Sequence, residues 1–129
     1  MVNRRAISSE AAPHPVGPYS HAIRAGGFLF CSGQIGTEPA TGDLVPGGVG
    51  AETARALANL GAVLEAAGVG VEQIVKTTVF LTSMENFAAM DEVYGRFFGA
   101  SPPARSAVAV KALPKGALVE IDAMAAVAF

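Results

Sequence analysis

Residues 103–129 read PARSAVAVKALPKGALVEIDAMAAVAF. Two valine- and alanine-rich runs flank the turn tripeptide Pro114-Lys115-Gly116, so the stretch predicts strands over 104–113 and 117–129. Along the second run Val119, Ile121, Ala123, Ala125, Val127 and Phe129 share one parity, and Leu118, Glu120, Asp122 and Met124 share the other. Alternation with a period of two belongs to a strand that lays one face on a core. Two charged side chains, Arg105 and Glu120, stand inside these runs. Buried without partners, either would cost several kcal/mol. They therefore lie on a solvated face, pair with each other, or face a cleft where Arg105 binds an anion and Glu120 moves protons. A tight hairpin at Pro114 puts both on one sheet face, about 13 Å apart along the strands at ~3.3 Å per residue.

Upstream, residues 1–18 read as an irregular leader with prolines at 13, 15 and 18. Residues 20–25 and 28–35 predict two strands around a Gly26-Gly27 turn, and 37–50 a loop. Leu57, Leu60, Leu64 and Ala67 form one apolar stripe, which predicts a helix over 52–67 closed by Gly68. IVKTTVFL over 74–81 is rich in β-branched residues and predicts a strand. Thr82 and Glu85 have capping-box spacing and open a second helix with the stripe Phe87, Met90, Tyr94 and Phe97, ending at Gly99. The order β-β-α-β-α-β-β implies an α+β subunit: a mixed sheet with both helices on one face. The whole chain, 1–129, reads as one domain.

Composition narrows the function. Hydrophobic residues make up 51% of the chain and charged residues 16%, below the usual charged share of roughly 25%. Mean hydropathy is +0.42. The surplus apolar surface, with a sheet face that no helix covers, predicts a homo-oligomer. The uncharged stretch 25–37 is too short and too glycine-broken to span a bilayer. Net charge is −2 and no basic cluster exceeds Arg4-Arg5, so no nucleic-acid partner is expected. The residues after Arg4-Arg5 are polar and proline-broken, so no targeting segment is read there. A lone cysteine, Cys31, fits a reducing cytosol and a packed core thiol. His14 and His21 form no metal or triad pattern, and no cofactor is expected.

Six blocks then add up: Pro15-Val16-Gly17-Pro18-Tyr19-Ser20-His21-Ala22, Ser32-Gly33-Gln34-Ile35-Gly36, the 75–81 strand, Phe87 with Val93-Tyr94 and Phe97-Phe98, Pro103-Ala104-Arg105-Ser106, and residues 113–121 through Glu120. In type and order they resemble the Rid (reactive intermediate deaminase) family, also called YjgF-type and, in older usage, L-PSP endoribonuclease. The resemblance implies a chorismate-mutase-like subunit in a homotrimer with sites between neighbouring chains. It also implies metal- and cofactor-free hydrolysis of 2-enamino and 2-imino acids, such as 2-aminoacrylate and 2-aminocrotonate, to 2-oxo acids and ammonia.

The residue chemistry agrees with that expectation. A planar guanidinium grips a carboxylate through two parallel hydrogen bonds, the role expected of Arg105. Glu120, part-buried in an apolar strand, is expected to have its pKa raised by desolvation and to act as acid and base, with a nearby Arg105 opposing the shift. Tyr19 and the Ser32-Gly33 segment are candidates to bind the substrate, and Phe87 to wall the cleft or join the core. Asp91 stands where many family members carry asparagine, and Ala107 where they carry cysteine; an aspartate facing the cleft would repel an anionic substrate. The alternative from a different class is a 2-oxo acid binding module without turnover, and a ribonuclease or translation inhibitor ranks last. All of this requires the Arg105 guanidinium to be free for a ligand in a pocket shared by two protomers.

Overall fold

The computed structural model describes residues 3–127. Eight regular elements follow in order: β1 (Arg4–Ile7), β2 (Ala22–Ala25), β3 (Phe28–Ile35), α1 (Val49–Ala66), β4 (Ile74–Leu81), α2 (Phe87–Phe98), β5 (Ala104–Ala109) and β6 (Val119–Ala126). The strands form one sheet in the order β1-β2-β3-β6-β4-β5. Only β4 and β5 run parallel; the other neighbours are antiparallel. The α+β class and the mixed sheet stand as expected.

The helices pack on one side of this sheet. Leu57, Leu60 and Leu64 of α1 are fully buried against β3 and β6, each contributing roughly 2 kcal/mol of apolar transfer energy. Gly68 closes α1 at φ 73°, with its N–H donated to the Glu65 carbonyl. On β6 the parity Val119, Ile121, Ala123 and Ala125 is buried, as the alternation predicts; Phe129 lies outside the described residues. The other parity faces away from the helices, where Phe28, Phe30, Met124 and Val108 remain exposed.

Four expectations need correction. The leader is not wholly irregular: Arg4–Ile7 adds to the edge of β2 as an extra strand. Ile7 alone is buried in it, so no apolar alternation marked it, and ladder hydrogen bonds to an existing edge hold it. The cap at this point is Ser83, not Thr82, and it caps a 3-10 turn rather than the second helix, whose own first flanking residue, Asn86, makes no side-chain cap. The Ser83 hydroxyl accepts from the Glu85 N–H at 3.2 Å and a 3-10 turn over Met84–Asn86 precedes α2. Thr82 stays at the strand end because its N–H donates to the Leu118 carbonyl.

The strand after α2 stops at Ala109 and makes no hairpin with β6. A β-strand, helix and parallel strand close by crossover, which places β5 beside β4. Residues 110–118 then carry the chain back past β4, turning at Pro114 with Lys115 and Gly116 at φ 59° and 72°. β6 consequently inserts between β3 and β4.

The fourth correction follows from that register. Arg105 is paired with Thr77 and Glu120 with Phe80, three residues apart on β4. Side chains of paired residues share a face and successive residues alternate. Arg105 therefore projects on the helix side and Glu120 on the helix-free side, not on one face.

Candidate functional site

On the helix-free side, the approach of β3 to β6 shapes a pocket. Cys31 pairs with Ala123 but Gln34 with Ile121, so Ser32 and Gly33 accommodate one extra residue as a bulge. The Glu120 side chain lies directly over Gly33, where a β-carbon would overlap its carboxyl group. A cavity of about 380 Å³ opens here, lined by His14, Tyr19, Gly33, Gln34, Lys115 and Glu120 among others. Tyr19 is 48% exposed at its wall. Burial raises the Glu120 pKa above the ordinary carboxylate value, and the neighbouring Asp122 charge raises it further. The predicted counter-effect of Arg105 is absent because that charge is on the far side of the sheet. Ser32 turns out to be engaged in the backbone: its hydroxyl donates to the Ser20 carbonyl at 2.6 Å.

The helix side carries the other predicted residues. Arg105 Nη1 donates to Asp91 Oδ1 at 2.6 Å. The Phe87 and Tyr94 rings lie 5.3 and 4.7 Å from its Cζ, within cation–π range. The Tyr94 hydroxyl pairs with Thr77 Oγ1 at 2.6 Å. Burial pushes the Tyr94 pKa upward against the lowering effects of that hydrogen bond and of Arg105. The expectation of an unpaired guanidinium is therefore corrected: Arg105 sits in an internal ion pair. The pair is not sealed, since the Arg105 side chain is 24% exposed and that of Asp91 46%. Asp91 engages one of the guanidinium nitrogens, and among the described residues no other acceptor bonds the group. Phe87 is partly buried against the core as well as facing Arg105.

The seven predicted residues thus fall into two groups. Tyr19, Ser32, Gly33 and Glu120 lie on the helix-free side; Phe87, Asp91 and Arg105 lie on the helix side. One chain does not bring the groups together.

Sequence reading missed the residues that hold the pocket wall. Asn59, buried in α1, donates from Nδ2 to the Ile35 and Thr37 carbonyls at 3.1 and 2.9 Å. Buried Glu52 accepts from the Leu118 N–H at 2.8 Å, two residues before Glu120. A polar residue at a helical position beside the leucine stripe was the available signal for both. Lys115, read from the sequence as a turn residue, lines the cavity and donates to the Gly42 carbonyl.

His21 is structural: its Nδ1 accepts from the Ser9 N–H and its Nε2 donates to the Pro13 carbonyl, the neutral ring with its proton on Nε2. Cys31 is buried, and burial with the Asp122 charge pushes its thiol up to about 12, leaving it protonated. Among the described residues no three His, Cys, Asp or Glu side chains gather into a metal-binding group. No helix among them is long and apolar enough to cross a membrane.

Comparison with known proteins gives a consistent picture. Residues 9–127 match the family described as Endoribonuclease L-PSP. A 2-iminobutanoate/2-iminopropanoate deaminase of Mus musculus is 48% identical over 122 residues, covering 95% of this chain and 90% of the mouse protein. A RutC family protein of Pyrococcus horikoshii is 50% identical over 122 residues, covering 95% and 97%. The crystal structure of a Rid-family protein from Yersinia pestis superposes with a TM-score of 0.93 at 45% identity, covering 97% of this chain and 100% of that one.

Proposed function

The chain belongs to the Endoribonuclease L-PSP family, and from that premise we propose that it hydrolyses 2-imino acids and their enamine tautomers to 2-oxo acids and ammonia. The substrates proposed are small, of the 2-iminopropanoate and 2-iminobutanoate type. One observation carries the reading: Glu120, a half-buried carboxyl with a raised pKa, ends in a cavity beside Tyr19 and Gly33. A carboxyl group whose pKa is tuned upward by burial holds its proton more readily than an ordinary carboxylate and is better suited to take up and return one.

In the proposed reaction a water adds to the imine carbon while Glu120 accepts its proton. The imine nitrogen takes up a proton from solvent, repaid by the one later shed, and becomes an amine. Glu120 returns its proton to that nitrogen, the carbon–nitrogen bond breaks, and the hydroxyl proton is shed as the carbonyl forms. Water and imine are consumed; a 2-oxo acid and ammonia leave. The site residues are Glu120, with Tyr19, Gly33 and the Ser32 segment against the substrate, and Arg105 on its carboxylate, with Phe87 and Asp91 around Arg105.

Since Arg105 and Glu120 face opposite sides of one sheet, this reading requires two copies of the chain. We propose a homotrimer in which each site takes Glu120 from one protomer and Arg105 from the next. The exposed Phe28, Phe30, Met124 and Val108 on the helix-free face support burial between copies. The test is ammonia release from an imine generated in situ by an amino-acid dehydratase. Wild type should exceed spontaneous hydrolysis, and Glu120→Gln should not. Equal rates for the two would refute the role of Glu120.

The Arg105–Asp91 ion pair favours a second reading, in which the cleft binds 2-oxo acids without turnover. Pyruvate binding with no ammonia release above background would decide for it.

A further inference from the structure

We propose that Asp91 is a specificity-determining residue that confines the site to ligands with one carboxylate. This rests on the reading of Arg105 as the carboxylate grip.

The argument starts from the guanidinium. It has five N–H donors on three nitrogens and two edges that match a carboxylate. Asp91 takes Nη1 at 2.6 Å. The Phe87 and Tyr94 rings lie within 5.3 Å of Cζ and add neither acceptor oxygen nor opposing charge there. The Nε–Nη2 edge is left for an incoming carboxylate, so Asp91 and a ligand share Arg105.

The second observation is electrostatic. A cavity of about 390 Å³ lies beside the pair, lined by Asp91, Tyr94, Gly95, Gly99, Pro102, Pro103 and Arg105. Among the described residues Asp91 and Arg105 are its only charged lining residues, so the charge that this half of the site contributes before binding is zero. One ligand carboxylate gains the bidentate contact and bears one repulsion from Asp91. A second carboxylate on the same small molecule meets that repulsion again, with no second cation among the described lining residues of the Arg105 half to offset it. At half-buried separations such a repulsion is strong enough to matter, because the dielectric there is well below that of water. The cost falls on dicarboxylic ligands and is set by Asp91.

The measurement is binding, which does not depend on turnover. Calorimetric titration with 2-oxobutanoate and with 2-oxoglutarate gives an affinity ratio for wild type, Asp91→Asn and Asp91→Glu. The size difference between the ligands is common to all three proteins, so a change in the ratio reports charge. Wild type should prefer 2-oxobutanoate. Asp91→Asn, which keeps an acceptor for Nη1 and removes the charge, should shrink the preference about tenfold, one charge–charge interaction's worth. Asp91→Glu should keep the preference, and high salt should weaken it.

A ratio that stays within about twofold in Asp91→Asn overturns the proposal, as does the absence of binding by either ligand to any of the three proteins. The outcome is separable from the hydrolase reading. Binding that depends on Asp91 in a protein releasing no ammonia keeps this inference and removes the hydrolase. Ammonia release with an unmoved ratio does the reverse.

Discussion

On the helix side of the sheet, Arg105 is held by an aspartate and two aromatic rings; on the opposite side, Glu120 rests against a glycine in a cavity that Lys115 also lines, and among the described residues it has no ion-pair partner. The first group is positioned and half neutralised. The second is desolvated and has its pKa raised, with Asp122 adding to the shift. A pair of groups treated so differently suits different tasks: a fixed cation for recognition, and a carboxyl free to gain and lose a proton. The sheet between them makes each chain half of the proposed site.

The largest expected effect breaks the recognition half. Arg105→Ala should lower kcat/KM for ammonia release by at least about a hundredfold, and Arg105→Lys should recover little, because lysine lacks the planar fork. Size-exclusion chromatography should show an unchanged oligomer. Co-assembling Arg105→Ala with Glu120→Gln tests the division between copies. Two inactive variants should regain activity in mixed oligomers, to about a quarter of wild type if protomers mix at random in a ring. No recovery would mean that the two groups do not meet across subunits.

A smaller loss should follow from disturbing the Glu120 half, the one proposed to move protons. Gly33→Ala places a methyl group where the Glu120 carboxyl lies. The obstacle is the far end of a flexible side chain, so Glu120 should move while the fold survives. Activity should fall about tenfold, with stability changed by less than ~1 kcal/mol in urea unfolding. A large stability loss with normal activity per folded molecule would contradict this.

Tyr94→Phe sharpens the comparison on the helix side. It removes the partner of buried Thr77 and should cost about 1 kcal/mol of stability. Arg105 keeps its contact with Asp91, so KM should move little.

The smallest effect concerns pH. Glu120 has a folded-state pKa above its unfolded value, so the fold binds its proton more tightly. Its stabilising contribution is full below the ordinary carboxyl value and is lost as pH rises through the raised one. Relative to Glu120→Gln, wild type should therefore lose thermal stability over that window and no further above it. Melting curves followed upward in pH from the ordinary carboxyl range measure this. A wild type that gains stability relative to the variant as pH rises would reverse the sign and remove the desolvated carboxyl.

Local pattern carried much of the fold. The leucine stripe of α1, the Met90 and Tyr94 positions of α2 and the alternation of β6 are legible because burial imposes fixed periods on sequence. Gly68 and Gly99 closed their helices as expected, since a left-handed backbone at a helix end favours glycine. Residues 4–7 escaped notice because an edge strand held mainly by backbone hydrogen bonds needs no apolar pattern. The candidate residues themselves were legible from chemistry and from family resemblance. Their grouping was not.

By itself, the amino-acid sequence determined the element types, the buried parity of the last strand, the family and the two charges that stand out against an apolar background. Each of these depends on neighbours a few residues away or on motifs read in order. Only the tertiary structure decided that β6 enters between β3 and β4, that Arg105 and Glu120 therefore point to opposite sides, and that Asp91 closes on Arg105. Those outcomes depend on strand order and register. Both are set by which long-range backbone pairing leaves fewest donors unpaired and most apolar surface buried, and no local pattern encodes that choice.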